Sequence, residues 1–410
     1  MRGDDRNAQS EAMKRRYYTG RKVEKAISIE ELRRMAEKRL PAFAFEFIEG
    51  GAENEVSLAW NRDAFTALRF LPQTLIDTSD RHTKVTLFGR EQPSPLVIAP
   101  SGHNNIYRRD GDMMLARAAT AAGIPMALST LSNTRLERLP KETGGRFWMQ
   151  LYQFKDKALT LDVVRRADEA GYEALVLTSD SYVYGLREWD RRHFKRPGVL
   201  TLRSKLDALC HPRWLFDALV PHGVPKLENV IEFFPPEARD TRTATTFIPT
   251  LFVSDVTWES VDELRKLWPR KLLIKGILSV EDARRAANHG CDGVILSNHG
   301  ARHLDSVISP MDILPDVATT VGDRLTIVID SGFRRGSDVV KAMALGANAV
   351  MVGRAPLWGL AAGGEAGVAH ALKLLQEETH RVLGQIGCPS FDKLGPQFVK
   401  RETASVGVRA

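Results

Sequence analysis

The chain has 410 residues, of which 43% are hydrophobic and 27% charged, and 58 Lys and Arg against 51 Asp and Glu give a formal net charge of +7. This composition is that of a globular protein and excludes a disordered, collagen-like or coiled-coil chain. Three scattered cysteines exclude a disulfide framework and a zinc cluster, so we predict no metal site. No apolar run reaches the roughly 18 residues of a membrane span, which predicts a cytoplasmic protein or one peripheral to a membrane.

A helix is predicted from Ser28, because Glu31 follows this capping position by three residues and apolar residues then recur at helical spacing up to Pro41. Eight apolar runs of strand length follow, at residues 96–100, 125–130, 147–152, 174–180, 271–277, 293–300, 325–332 and 349–355. Amphipathic helical stretches lie between or after them, at 112–123, 158–171, 258–268, 280–290, 309–320, 336–346 and 363–384. Continuous Val/Ile/Leu runs are typical of parallel strands that are buried on both faces.

This alternation predicts an α/β fold, a (β/α)8 TIM barrel with an N-terminal cap helix. A doubly wound sheet is the alternative, but the first strand-to-helix turn lacks the GxGxxG of a dinucleotide-binding fold. Runs four and five start at residues 174 and 271, so a long insertion, 181–257, follows the fourth strand. The predicted organisation is a basic, mobile N-terminal tail (1–27), a barrel domain (28–390) and a C-terminal tail (391–410).

The positive charge is concentrated in two segments of the chain. Residues 1–27 carry a net charge of +4 and residues 181–226 carry +5, which leaves −2 for the remainder. Such segments are either solvated loops or contacts for nucleic acid, anionic lipid or an acidic protein. No helix-turn-helix, zinc-finger or RNP pattern accompanies them, so we predict no nucleic-acid partner.

Polar residues mark the C-terminal ends of the predicted strands, where barrel enzymes carry their active sites. They are Ser101, Ser129, Gln150, Tyr152, Thr178, Asp180, Lys275, Ser297, His299, Asp330, Gly353 and Arg354. Any one of them has a structural explanation, such as satisfying backbone groups at a strand end. Together, an imidazole, an ammonium, a guanidinium and two carboxylates predict a polar active site.

Two loops predict a phosphate-binding site. Residues 330–336 after the seventh strand and 352–355 after the eighth combine glycines with arginines. TIM barrels commonly hold a phosphate on these two loops, where backbone N–H groups and cations share its charge. The pattern therefore indicates a phosphorylated cofactor or substrate.

Longer motifs resemble those of a known enzyme family. They are EGGAENE (49–55), IKG (274–276), SNHGARHLD (297–305), DSGFRRGSD (330–338) and GRAPLWGLAAGGEAGV (353–368). In this order they resemble the FMN-dependent 2-hydroxy acid dehydrogenases and oxidases, the family of glycolate oxidase, L-lactate dehydrogenase and (S)-mandelate dehydrogenase. The likeness runs from about residue 28 to 390 and is greatest to the mandelate dehydrogenase branch, through CHPRW (210–214) and QIGCP (385–389) among others.

The resemblance implies that FMN is the cofactor. It assigns the flavin to one set of residues, which are Pro100, Ser101, Gly102, Ser129, Gln150, Thr178, Lys275 and Ser297. It assigns the FMN phosphate to a second set, which are Asp330, Ser331, Gly332, Arg334, Gly353 and Arg354. Lys275 would face N1 and O2 of the flavin, where a fixed ammonium stabilises the negative charge that reduction creates.

The resemblance also implies how the substrate is oxidised. His299 would take a proton from a 2-hydroxy acid and Asp180 would stabilise the resulting imidazolium, as the acid becomes a 2-oxo acid and FMN is reduced. Arg302 and Arg187 would clamp the substrate carboxylate, and Tyr152 would hydrogen-bond the substrate. Whether the α-hydrogen leaves as a hydride or as a proton stays open. The electrons would pass to a quinone or another acceptor, and the family implies a homotetramer.

Three positions bear on the choice of substrate and acceptor. Phe47 stands where the family has a tyrosine whose phenol helps hold the carboxylate, and the lost hydrogen bond weakens binding by roughly 1.5–3 kcal/mol. Leu131 lines the substrate pocket in relatives and indicates an aromatic or bulky apolar side chain. Gly102 stands where oxidases tend to have alanine, which favours a dehydrogenase. The alternatives are a diverged member acting on an amino acid or peptide end, an oxygen-using oxidase, or a phosphate-binding barrel without redox chemistry.

The insertion 181–257 has two interpretations. Its basic stretch is interleaved with apolar residues, which are Trp189, Trp214, Leu215, Phe216 and Leu219. This pattern is compatible with docking on an anionic membrane and delivering electrons to quinone, which predicts a peripheral protein on the cytoplasmic face of the inner membrane. The alternative is a mobile lid over the active site.

Overall fold

The computed structural model describes residues 16–196, 198–220, 223–236, 239, 250–253 and 255–402. Eight parallel strands close into a barrel in which each strand pairs with its neighbours along the chain and the last pairs with the first. They are β1 (Leu96–Ile98), β2 (Met126–Leu128), β3 (Phe147–Leu151), β4 (Ala174–Thr178), β5 (Lys271–Ile277), β6 (Gly293–Leu296), β7 (Thr326–Ile329) and β8 (Ala349–Val352). The predicted (β/α)8 barrel is confirmed. Each strand lies within its predicted run, and most end earlier because the polar residues at the end of the run leave the sheet.

Each barrel strand is followed along the chain by a helix that covers the outside of the barrel. These helices are Gly111–Ala121, Arg138–Thr143, Lys157–Glu169, Trp258–Leu267, Val280–Asn288, Pro310–Val321, Gly336–Ala344 and Arg354–Gln385. The last one begins at Arg354 rather than at the predicted residue 363. Gly363 and Gly364 interrupt it with non-helical backbone, and Gly364 has φ +62°. The predicted start therefore coincides with a kink, which glycine permits because it has no Cβ.

Three α-helices of the described residues precede the barrel, Ile29–Arg39, Ala42–Glu49 and Val56–Thr66. Ser28 caps the first, since its Oγ accepts a hydrogen bond from the N–H of Glu31 at 3.3 Å. The helix Ala42–Glu49 buries most of its apolar side chains, and its residue Phe47 reaches the open end of the barrel. The cap thus contributes a side chain to the mouth of the barrel.

Apolar side chains fill the barrel interior and close its N-terminal end. The interior cluster includes Val97, Ala127, Trp148, Val176, Leu273, Ile295, Val328 and Met351. Two short antiparallel strands, Val85–Leu87 and Arg90–Gln92, form a hairpin at this end. Leu87 in the hairpin is buried, and the ring of Phe88 lies 5.5 Å from that of Trp148. Because this end is packed with apolar groups, the C-terminal ends of the strands form the accessible end of the barrel.

The described part of the insertion 181–257 is folded against the cap. It contains the helices Glu188–Arg192, Leu202–Leu209 and Pro212–Ala218 and the paired strands Phe194–Arg196 and Val199–Leu200. Trp214 is only 1% exposed, because its ring packs 5.5 Å from Phe43 and its Nε1 donates to the carbonyl of Ile106 at 2.7 Å. The assignment of Trp214 to an exposed docking surface is therefore wrong.

The described parts of the two predicted tails contact the barrel domain. The strand Val399–Arg401 pairs with Leu68–Phe70, next to the buried Phe398. Val23 in the short 3-10 helix Val23–Lys25 is also buried. Residues 1–15 and 403–410, which make up the rest of the tails, lie outside the described residues.

Candidate active site

A cavity of about 300 Å³ opens at the C-terminal ends of the barrel strands. Most of the sequence-predicted site residues line it, namely Phe47, Pro100, Ser101, Gly102, Ser129, Leu131, Gln150, Tyr152, Thr178, Arg187, Lys275, His299, Arg302, Asp330, Ser331, Gly332, Arg334, Gly353 and Arg354. Asp180 and Ser297 do not line it, but each hydrogen-bonds a residue that does. The fold therefore brings the predicted residues together in one place.

His299 and Asp180 form a hydrogen-bonded pair at the cavity. Nδ1 of His299 lies 2.8 Å from Oδ1 of Asp180, and the backbone N–H of His299 donates to Oγ of Ser297 at 2.9 Å. Burial raises the pKa of Asp180, but the charges of His299 and Lys275 outweigh burial and lower it to about 2. Asp180 is thus a carboxylate at neutral pH and accepts a hydrogen bond from Nδ1–H, which leaves Nε2 of His299 as the nitrogen that can accept a proton.

Gly276 makes room for Asp180. The pairing of β5 with β6 is irregular between Lys275 and Ile277, and Gly276 between them has φ +106°. A Cβ at this position would lie 2.6 Å from Cβ of Asp180. Glycine therefore allows Asp180 to approach β5 closely enough to meet His299.

Lys275 provides a buried ammonium group. Its Nζ donates to Oγ of Ser297 at 2.7 Å and lies 3.1 Å from Oδ2 of Asp330, whose other oxygen accepts from Ser331 at 2.8 Å. Burial lowers the pKa of Lys275, but the carboxylates of Asp330 and Asp180 outweigh burial and raise it. Lys275 is therefore charged at neutral pH and is held where it can stabilise negative charge on a bound group.

Gln150, Ser129 and Thr178 form a buried hydrogen-bonded row across neighbouring strands. Nε2 of Gln150 donates to Oγ1 of Thr178 at 2.9 Å, and its Oε1 accepts from Oγ of Ser129 at 3.2 Å. These bonds fix the orientation of the amide, whose second N–H is available for a ligand. The row suits the polar edge of a flat heterocycle.

Arg187 and Arg302 flank the ring of Phe47, with each guanidinium carbon 5.4 Å from the ring centroid. Arg302 donates to the carbonyl of Gly50 at 3.0 Å, and Arg187 is ion-paired with Asp190 at 2.7 Å. Burial and then the charge of Arg187 lower the pKa of Arg302 to about 9, so it remains charged at neutral pH. Two guanidinium groups at one end of a cavity suit a planar anion such as a carboxylate.

Arg334 and Arg354 lie at the cavity beside Gly332 and Gly353. In the described part of the chain neither makes an ion pair: Arg354 donates to backbone carbonyls, and Arg334 lies 4.4 Å over the ring of Trp358. Burial lowers the pKa of each to about 10. Two guanidinium groups that make no ion pair with a carboxylate in the described chain fit a phosphate, which would supply a direct anionic partner.

Some lining residues were not predicted, among them His103, Tyr107, Tyr184 and His303. Each of the two histidines directly follows a predicted site residue in its loop, so adjacency in the sequence was an available signal. Tyr184 belongs to the insertion and lies 5.9 Å from the ring of Phe252, at the far end of the same insertion. No local pattern reveals a contact between residues so far apart in the chain.

Comparisons with known proteins place the chain in an enzyme family. Residues 36–401 match the family of FMN-dependent dehydrogenases. The chain is 44% identical to (S)-mandelate dehydrogenase of Pseudomonas putida over 92% of this chain and 94% of that protein. It is 38% identical to a putative L-lactate dehydrogenase of Mycobacterium tuberculosis (92% and 90%) and 37% identical to 4-hydroxymandelate oxidase of Amycolatopsis orientalis (89% and 95%).

Solved structures show the same relationship. The crystal structure of the monotopic membrane protein (S)-mandelate dehydrogenase matches with a TM-score of 0.88 at 44% identity, covering 92% of this chain and all of that one. Mandelate oxidase with (S)-2-phenylpropionate matches with a TM-score of 0.75 at 35% identity, covering 91% and 98%. The sequence similarity and the shared barrel fold show that the chain belongs to the FMN-dependent dehydrogenase family and is an FMN-dependent oxidoreductase of 2-hydroxy acids.

Proposed function

We propose that this enzyme oxidises an (S)-2-hydroxy acid with an aromatic or bulky apolar side chain, resembling mandelate, to the 2-oxo acid, with His299 as the base. The observation that carries the proposal is the hydrogen bond between His299 and Asp180 in a cavity that also contains Arg187 and Arg302. Leu131 in the lining and the 44% identity to (S)-mandelate dehydrogenase support the apolar side chain.

Nε2 of His299 would accept the proton that leaves the substrate. Asp180, which is anionic at neutral pH, would stabilise the imidazolium by accepting a hydrogen bond from Nδ1. Arg187 and Arg302 would hold the substrate carboxylate, and Tyr152, whose pKa burial raises, would donate a hydrogen bond as a neutral phenol. These contacts would place the carbon that is oxidised beside the base.

The residues present fit FMN, which when bound supplies the two-electron acceptor for the oxidation. Arg334 and Arg354, with Gly332 and Gly353, would hold its phosphate, because these two guanidinium groups lack a carboxylate partner in the described chain. Residues at the other strand ends would contact the flavin, namely Pro100, Ser101, Gly102, Ser129, Gln150, Thr178, Lys275 and Ser297. Lys275 would stabilise negative charge on the flavin by its fixed ammonium.

Phe47 leaves a second substrate class open. Its ring offers no hydrogen bond between the two guanidinium groups that flank it. A diverged enzyme that oxidises an amino acid or a peptide end, or an oxygen-using oxidase, is therefore the alternative. Which acid reduces the flavin separates these possibilities, and so does the acceptor that reoxidises it.

We also propose that the insertion docks on a membrane surface on the cytoplasmic side and that quinone accepts the electrons. On the helix Leu202–Leu209, the residues Leu202, Leu206 and Leu209 are exposed at helical spacing, and Phe216 on the next helix is 65% exposed. Exposed Arg203 and Lys205 lie between these leucines. An apolar stripe beside cations is typical of binding to an anionic interface. In the described chain no helix is both long and apolar enough to cross a membrane.

The test of the base is His299→Asn in the FMN-loaded enzyme under anaerobic conditions. The variant should stay yellow and be reduced by dithionite, but substrate should bleach its flavin band about 10²–10⁴ times more slowly than in the wild type, the usual contribution of a general base. Reduction of the variant by substrate at the wild-type rate would rule out His299 as the base.

A further inference from the structure

His103 is a polar side chain of the cavity to which the proposed chemistry gives no role. It follows Gly102 in the loop after β1, with left-handed backbone at φ +59°, and its N–H donates to the carbonyl of Leu131 at 3.1 Å. This bond fixes the loop beside the cavity. Among the described residues no hydrogen-bond partner occupies either ring nitrogen of His103, although the residue lines the cavity.

The imidazole lies at the same end of the cavity as the two guanidinium groups. Its ring contacts the ring of Phe47 edge-on, with the centroids 6.0 Å apart. Arg187 and Arg302 lie 5.4 Å from the same Phe47 ring. Three groups that carry N–H donors therefore surround one aromatic ring that can form no hydrogen bond of its own.

The charge state of His103 suits a donor in these surroundings. Burial and then the positive charge of Arg187 lower the pKa of His103 to about 4, so the imidazole is neutral at pH 7. A neutral imidazole carries one N–H and adds no repulsion to the two nearby cations. It can thus donate to an anion that the guanidinium groups already attract.

We propose that His103 donates a hydrogen bond from its ring N–H to the carboxylate of the bound substrate, as a third contact beside Arg187 and Arg302. The inference rests on the proposed function, because it takes a 2-hydroxy acid as the ligand of this cavity. It makes His103 a substrate-binding residue at the position where the ring of Phe47 cannot contribute. The carboxylate would then be held by two cations and one neutral donor.

The test measures the binding of phenylacetate, a carboxylate that cannot be oxidised at a hydroxyl group, to the FMN-loaded enzyme by titration of the flavin absorbance. His103→Leu should raise the Kd by about 10- to 100-fold, the range for a lost hydrogen bond to a charged group. With a turned-over 2-hydroxy acid, KM should rise by a similar factor and kcat should change much less. His82→Leu, an exposed histidine outside the cavity, is the control and should leave the Kd unchanged.

A second variant separates a lost hydrogen bond from a damaged pocket. Adding Phe47→Tyr to His103→Leu supplies a phenol at the same end of the cavity and should restore most of the phenylacetate affinity. An unchanged Kd in His103→Leu, or no recovery in the double variant, would overturn the inference. Failure of the proposed function would give a different result from failure of this inference. The wild-type flavin would then not be reduced by any 2-hydroxy acid, whereas the effect of His103→Leu on the phenylacetate Kd would remain.

Discussion

Two neighbours of His299 are held in defined charge states by their surroundings. Asp180 stays anionic because the charges of His299 and Lys275 outweigh its burial. His303, whose ring lies 4.4 Å from that of His299, stays neutral because burial, and then the proximity of His299, lower its pKa to about 2. The proposed base therefore has one anionic and one neutral neighbour across the physiological pH range.

The neutral state of His303 predicts a loss of stability in acid. Its folded pKa lies below the unfolded value of 6.5, so its contribution is present above pH 6.5 and is lost as the pH falls toward 2. Between pH 7.5 and 5.5 the free energy of unfolding of the wild type should fall by about 1 kcal/mol more than that of His303→Gln. Urea unfolding of both proteins at the two pH values measures the difference. The same pH dependence in His303→Gln would contradict the assignment.

At the residue scale, the predictable residues were those at or just after strand ends. Lys275 lies in β5, and His299 and Asp330 follow β6 and β7, but the C-terminal ends of parallel strands meet at one end of a barrel. The position of Trp214 depends on how the insertion packs, and a single sequence does not contain that information, whereas the adjacency of His103 to Gly102 was an available signal. The aromatic character of Trp214 is equally compatible with a membrane surface and with the buried contact to Phe43 that the structure shows.

At the element scale, the irregularity in β5 positions Asp180. Gly276→Ala would place a Cβ 2.6 Å from Cβ of Asp180 on backbone at φ +106°. We expect Asp180 to move away from His299 and the rate of anaerobic flavin reduction to fall at least about tenfold, within the range of a general-base contribution. Stopped-flow reduction by substrate, with flavin content checked first, measures the effect.

Gly89→Ala is the matched control for that substitution. Gly89 has φ +77° in the hairpin at the opposite end of the barrel, and a Cβ there meets nothing within 4 Å. It should lose about 1–2 kcal/mol of stability from the left-handed backbone and retain its reduction rate. Equal reduction rates in the two variants would show that the contact with Asp180 is unimportant for catalysis.

The docking proposal can be tested on the two helices of the insertion that expose apolar side chains, Leu202–Leu209 and Pro212–Ala218. Leu206→Ser with Phe216→Ser removes side chains that are 55% and 65% exposed, so folding should be preserved. We expect sedimentation with phosphatidylglycerol vesicles to fall strongly, because the buried apolar area and the attraction to anionic lipid both contribute to binding. Leu161→Ser, a 46% exposed leucine on a barrel helix, is the control. Unchanged vesicle binding of the double variant would contradict docking and favour the interpretation of the insertion as a lid over the active site.

Among the elements, the barrel strands were predictable and the insertion was not. Continuous apolar runs such as those of β4 and β6 can be buried only in a sheet that is covered on both faces. The helices Ala42–Glu49 and Leu202–Leu209 are short, and their neighbours in the fold decide which faces they bury. The residue that Ala42–Glu49 contributes to the cavity, Phe47, was predicted only through the family resemblance.

For the whole molecule, the excess positive charge and the anion binding of the site have different origins. Residues 1–27 and 181–226 carry +4 and +5 and the remainder carries −2, whereas the cavity uses individual cations such as Lys275 and Arg354. The excess therefore bears on what the enzyme contacts. The homotetramer that the family resemblance implies stays a prediction, which light scattering checks against a chain mass of 45.7 kDa.

The most direct test of the central claim is anaerobic mixing of the purified, FMN-loaded protein with (S)-mandelate. The protein should be yellow, and its flavin band should bleach with (S)-mandelate and give the 2-oxo acid, while (R)-mandelate and phenylglycine leave the band intact. Bleaching by phenylglycine alone would select the amino-acid alternative. A colourless protein that binds no added FMN would contradict the account as a whole.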